Sequence, residues 1–228
     1  RILVFFLVDG LGDLFLQRFG AGSALLAARQ RCLTSVFPST TASAVTTCMT
    51  GLAPVRHGLT GWFIHDARFG GVIAPLPMTR RGAGDIDGFL AARRLLSHDA
   101  LFQHRKRRAL VVTPAELAGS RYSRRHTRGA GVLPYEGLSG LFAAIGQGLR
   151  QLRAGQGGLV HAYYPVFDAV SHQFGSTSRE AQTVFRRVDR AFAMFCDMFA
   201  DWPVDVVVTA DHGFIDSPSS RQLHLKNQ

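Results

Sequence analysis

The first ten residues, RILVFFLVDG (residues 1–10), place seven apolar and partly β-branched side chains directly before an aspartate and a glycine. A continuous apolar run of this length, closed by a glycine, reads as a strand buried on both faces, the kind found inside a parallel sheet. Residues 109–113, 159–164 and 204–209 share that character. Each is a short apolar run bounded by Gly, Pro or charge. Residues 31–37 are expected to add a fifth strand.

Helical patterns lie between these runs. In residues 178–199 the apolar positions are Ala181, Val184, Phe185, Val188, Phe192, Phe195 and Phe199, the three-and-four spacing of one helix face. Thr177 and Glu180 have capping-box spacing at its start. Residues 135–153, after Pro134, predict a second long helix, and residues 43–50 a shorter one ending at Gly51. Strands alternating with helices predict an α/β layer fold with a mostly parallel central sheet. Residues 60–108, rich in Gly and Arg, fit the alternation less well. They are expected to form a small cap or insertion within a single domain covering residues 1–228.

Hydrophobic residues make up 46% of the 228, which supports a sizeable core and argues against wholesale disorder. No apolar run has the length of a membrane span, and no signal peptide is visible. The chain opens on Arg1 inside the first strand, so the natural N-terminus, with any targeting signal, is expected to lie upstream. Cys32, Cys48 and Cys196 have neither disulfide nor zinc-type spacing and are expected to be buried small residues. The formal net charge is +10, and residues 80–128 hold twelve Lys or Arg against four Asp or Glu. That stretch reads either as a solvated, arginine-rich insertion or as a basic surface for an anionic substrate, nucleic acid or anionic membrane. Aromatic signatures of RNA binding are absent.

Ligands of open α/β sheets bind beyond the carboxyl ends of the strands, and three strands here finish in metal-ligating residues. The first runs into Asp9. The third runs into Asp168, with His172 four residues on. The fourth runs into Asp211 and His212. Four-residue spacing lets Asp168 and His172 share one side of a helical turn. Gly213 permits the irregular turn that Asp211 and His212 need to converge. Carboxylate with imidazole suits zinc, with manganese or iron as alternatives. A hydroxyl cluster, Ser39, Thr40 and Thr41, stands before the short helix, where backbone N–H groups and the dipole favour negative charge. Any of the three is a candidate N-cap as well as a candidate nucleophile.

VDGLGD (residues 8–13), FPSTTASAVTTCMTGLAPVRHGLTGW (37–62), FDAVSHQFG (167–175) and TADHGF (209–214), in this order, resemble the alkaline phosphatase superfamily, and within it the type I phosphodiesterase/nucleotide pyrophosphatase family. The resemblance implies an alkaline-phosphatase-like three-layer sandwich and two divalent metal ions, most simply Zn2+. Asp9, Thr41, Asp211 and His212 would surround one ion, and Asp168, His172 and one further His the other. Thr41, four residues after Phe37, would attack phosphorus and give a covalent phospho-threonine, with Ser39 and Thr40 as fallbacks. The implied substrate is a small phosphodiester or phosphomonoester, nucleotide-like in kind. The alternative is a metal-deficient relative acting as a binding domain.

Two departures from the family pattern stand out. Its eukaryotic members place an Asn three residues after the nucleophile, against the phosphoryl oxygen, where this chain has Ala44. The last His ligand is either His224 or lies beyond Gln228, and the chain is expected to be truncated at both ends. His57 is read as structural, turning the chain after the nucleophile helix. His65, His98, His104, His126 and His161 have no metal partner at readable spacing. Sulfatases want a Cys or Ser nucleophile in a C/S-x-P-x-R context and phosphomutases a Ser, so Thr41 counts against both.

Overall fold

The computed structural model describes residues 1–88, 90–104, 106–215, 217 and 220. In chain order the strands are β1 (Ile2–Val8), β2 (Ile64–Asp66), β3 (Gly71–Ala74), β4 (Thr79–Arg80), β5 (Gly84–Asp85), β6 (Arg108–Pro114), β7 (Gly131–Tyr135), β8 (Gly158–Tyr164) and β9 (Val204–Thr209). The α-helices are α1 (Asp13–Phe19), α2 (Ala24–Ala27), α3 (Thr41–Thr50), α4 (Pro54–His57), α5 (Ala91–Leu95), α6 (Ala115–Ala118), α7 (Arg121–His126), α8 (Gly137–Arg153), α9 (Val166–Phe174) and α10 (Arg179–Met198).

The five-stranded sheet has the order β7-β6-β8-β1-β9, and every pairing in it is parallel. Strand parity builds the layers, because successive side chains point to opposite faces. Ile2, Val4, Phe6 and Val8 of β1 join Leu110 and Val112 of β6 and Val160 and Ala162 of β8 in a core with α8 and α10. Leu7, Ala109 and Val111, on the opposite face, join Val45 and Met49 of α3 and Phe69, Ile73, Met78 and Ile86 in a second core. The result is the expected three-layer α/β sandwich.

Between α4 and β6, the strands β2, β3, β4 and β5 form an antiparallel meander followed by α5. It rests on the second core. Part of the local positive charge fastens it down. Arg80 donates from Nε to the Phe69 carbonyl at 3.0 Å, Arg121 donates to the Ile86 carbonyl, and Arg125 donates to the Leu96 carbonyl at 2.8 Å. No helix among the described residues is long and apolar enough to cross a membrane.

Four sequence readings change. Residues 31–37 form no strand. Arg31 to Thr34 are exposed, and the Ser35 hydroxyl donates to the Asp211 carbonyl, so the segment runs past the carboxyl edge of the sheet rather than along it. Cys32 is therefore exposed, not buried, while Cys48 and Cys196 are half-buried and all three are free. Tyr135 closes the strand β7 and the following helix starts at Gly137. Pro134 masks that strand in the sequence, and it is tolerated because β7 lies at an edge and pairs only with β6. The cap of α10 is Ser178, whose Oγ accepts from the Ala181 N–H at 3.1 Å, rather than Thr177.

Candidate active site at the carboxyl edge of the sheet

Register brings the three strand ends level. Leu7 is opposite Tyr163 on one side and Thr209 on the other. Asp9 and Asp211 each follow two residues past that row. Gly10 and Gly12 make the first turn possible. Gly10 has φ +73°, and a Cβ there would sit 2.6 Å from the Phe214 ring and 3.1 Å from Asp168 Oδ1. A Cβ on Gly12 would sit 2.6 Å from Gly213 Cα, so the turn after β1 and the turn after β9 touch backbone to backbone. The Gly10 N–H donates to Asp211 Oδ1 at 3.0 Å. Gly10→Ala is therefore expected to displace Asp168 and Phe214, and with them to weaken any uptake of zinc, while most of the fold survives. A zinc titration alongside a melting curve checks this, and unchanged affinity counts against the turn as a constraint.

Thr41 is the first residue of α3, after Thr40 in extended conformation. Its hydroxyl lies 3.0 Å from His212 Nε2 and 3.4 Å from Asp9 Oδ1. The Thr40 hydroxyl faces Ser43 Oγ at 3.4 Å instead. Thr41 thus reaches the acids and the imidazole, and its side chain is not used as a cap.

His212 Nδ1 lies 3.1 Å from the Gly213 carbonyl, which can only accept, so Nδ1 carries a proton. Its Nε2 faces Asp9 Oδ1 at 3.5 Å, Asp211 Oδ2 at 3.5 Å and Asp168 Oδ1 at 3.8 Å. Asp211 Oδ2 and Asp168 Oδ1 are buried with no hydrogen-bond partner. Burial, then the neighbouring Asp211 charge, pushes the Asp9 carboxyl up to about 9, and burial raises Asp168 as well. Crowded, desolvated carboxyls with orphaned oxygens are relieved either by a proton or by a cation among them. One ligand atom each from Asp9, Asp211 and His212 lies within 4.8 Å of the others, so this donor set fits a divalent ion of the zinc type.

Asp168 and His172 stand in the first and last turns of α9, with His172 Nε2 at 3.5 Å from Asp168 Oδ1. The Phe214 ring packs edge-on to His172 at 5.2 Å and to His212 at 5.7 Å. Asp168 therefore joins the two halves, touching His172 on one side and His212 on the other. His224 lies outside the described residues. His57 accepts from the Leu59 N–H at Nδ1 and faces Thr47 Oγ1 through Nε2, holding the turn after α3 together.

Sequence reasoning did not single out Tyr163. Its hydroxyl donates to Asp9 Oδ2 at 2.5 Å. A tyrosine one residue from the end of a strand adjacent to β1 is the signal that could have found it.

The family model described as type I phosphodiesterase / nucleotide pyrophosphatase matches residues 3–227. A search of the curated proteins finds no match. Among solved structures, the chain is similar to murine ectonucleotide pyrophosphatase/phosphodiesterase 5, with a TM-score of 0.69 at 19% identity over 97% of this chain and 59% of that one. An inactive variant of the same murine protein, solved in complex with AMP, gives 0.69 at 18% over 97% and 59%. A mutant of the alkaline phosphatase PafA gives 0.65 at 15% over 93% and 63%. At these identities the likeness shows the alkaline-phosphatase-like fold. The chain spans about three fifths of the length of these proteins. With a family model matching nearly its whole length, the chain belongs to the type I phosphodiesterase / nucleotide pyrophosphatase family.

Proposed function

We propose that this chain carries the catalytic site of a metal-dependent phosphate-ester hydrolase working through a phospho-threonine. One observation carries the reading. The Thr41 hydroxyl stands against Asp9 and His212, beside two buried carboxylate oxygens without partners. Family membership supports the reaction class.

Asp9, Asp211 and His212, together with Thr41, would hold one divalent ion. Asp168 and His172 would contribute to a second. Zinc suits these donors, and manganese or iron could replace it. A cation bound there lowers the hydroxyl pKa and offsets charge on the phosphoryl oxygens.

Thr41 Oγ attacks phosphorus, forming the Oγ–P bond as the bond to the leaving oxygen breaks. The leaving oxygen departs with a proton, and the hydroxyl proton of Thr41 is released. Water then cleaves the Oγ–P bond and returns a proton to Thr41. The first backbone N–H groups of α3 have no partner within the helix and are free to meet the phosphoryl oxygens. They matter more here because Ala44, buried in α3, supplies no side-chain donor. The AMP complex of the inactive murine variant supports a small, nucleotide-like substrate.

The test is zinc stoichiometry followed by turnover of bis-p-nitrophenyl phosphate and p-nitrophenyl phosphate. The expected result is two ions per full-length chain, hydrolysis of at least one ester, and loss of both signals with a chelator. A chain that takes up no ion after zinc incubation would be the non-catalytic binding domain instead.

A further inference from the structure

Asp9 is almost fully buried, and its two oxygens have different partners. Oδ1 faces Thr41 Oγ1 at 3.4 Å and His212 Nε2 at 3.5 Å. Oδ2 accepts from the Tyr163 hydroxyl at 2.5 Å. A carboxylate turns easily about its last bond, where the torsion is broad and two-fold. A hydrogen bond from a hydroxyl on a fixed strand to one carboxylate oxygen can hold that torsion.

Tyr163 is itself held. It sits on β8 directly opposite Leu7, and its ring packs against the second core. Its main-chain carbonyl accepts from the Tyr135 hydroxyl at 2.8 Å, which ties the end of β8 to the end of β7. The phenol therefore reaches Asp9 from a fixed strand, not from a loop.

We propose that Tyr163 is a positioning residue of the candidate site. By donating to Oδ2 it fixes the Asp9 carboxylate and leaves Oδ1 as the atom offered to the cation and to Thr41. The inference rests on the reading of Asp9 as a metal ligand. Without the hydroxyl, Oδ2 of the almost fully buried Asp9 loses its donor, and the carboxylate rotates to satisfy it elsewhere. Groups that orient a ligand from behind typically change metal affinity or activity about 10- to 100-fold when removed.

The experiment compares wild type, Tyr163→Phe, Tyr163→Met and Tyr135→Phe in the full-length chain. Zinc affinity is read by competition with a chromogenic chelator, kcat and KM with bis-p-nitrophenyl phosphate, and melting on metal-free protein. Tyr163→Phe keeps the ring in the core and removes only the donor. It is expected to weaken the tighter zinc site by about 10- to 100-fold and to lower kcat far more than it changes KM. Metal-free melting stays near that of wild type. Tyr163→Met fills the apolar space flexibly and shows the same loss if the phenylalanine variant fails to fold.

Tyr135→Phe leaves the Tyr163 hydroxyl in place on the paired strand β8 and is expected to change zinc affinity far less than Tyr163→Phe does. Zinc affinity and kcat of Tyr163→Phe within about twofold of wild type would overturn the proposal. Equal losses in Tyr163→Phe and Tyr135→Phe, tracking a lower melting temperature, would reduce Tyr163 to a structural role and overturn it too. Wild type that binds no zinc removes both this inference and the metal reading beneath it. Wild type that binds zinc beside an unchanged Tyr163→Phe removes this inference alone.

Discussion

Thr41→Ala is expected to lose turnover of bis-p-nitrophenyl phosphate by on the order of a thousandfold or more, the scale seen when a nucleophile is deleted. The fold should tolerate the change. Thr41 is the first residue of α3, Thr40 occupies the cap position, and alanine is the best helix former. Stability is therefore expected to move by less than about 0.5 kcal/mol. If the proposed metal site is right, zinc binding should persist, because Asp9, Asp211 and His212 are unchanged. Thr41→Ser keeps the hydroxyl and should retain part of the activity. Melting curves, zinc stoichiometry and turnover together separate a chemical role from a structural one. A Thr41→Ala protein with normal turnover would sink the assignment and return attention to Ser39 and Thr40.

Much of the candidate site could be read from the sequence because the chemistry stands at the ends of strongly marked strands. β1, β8 and β9 are apolar runs that stop one, four and two residues before Asp9, Asp168 and Asp211. A parallel sheet turns that linear pattern into one edge. The structure brings six residues into one chain of contacts, from Thr41 to His212, which faces Asp9, Asp211 and Asp168, and from Asp168 to His172.

What escaped was tertiary or too short to show a period. Tyr163 is 154 positions from Asp9, and nothing local marks their bond. The approach of Gly12 to Gly213 is likewise a meeting of two distant turns. The strands of the meander run two to four residues, below the length at which alternation can be counted, and they hold together through Phe69, Ile73, Met78 and Ile86. Residues 31–37 misled in the other direction. Their apolar content suggested a strand, but no neighbouring strand pairs with them among the described residues.

Acid is expected to destabilise the fold through His161, and His161→Phe is expected to remove that sensitivity. His161 lies on β8, 3% exposed, with its ring 5.3 Å from that of Phe5 and 6.1 Å from that of Phe102. Neither ring nitrogen has a hydrogen-bond partner beyond the residue's own backbone. Burial pushes this imidazole down to about 4 from 6.5. The depressed value means that the unfolded chain binds the proton more readily than the folded one. Stability is therefore intact above pH 6.5 and falls as the pH drops toward 4.

At pH 5 the difference amounts to about 2 kcal/mol, against a total of roughly 5–15 kcal/mol for a domain. His126, also buried and held down to about 4, acts in the same direction. Asp9 and Asp168 titrate with shifts of their own, so the useful quantity is the difference between wild type and His161→Phe at each pH, in which those contributions cancel. Phenylalanine fills a similar space between two aromatic rings and removes two unsatisfied nitrogens. The variant should gain on wild type by about 2 kcal/mol between pH 7.5 and pH 5, or several degrees in melting temperature. Parallel stability curves for the two proteins across that range would show that His161 keeps a proton partner in the folded state.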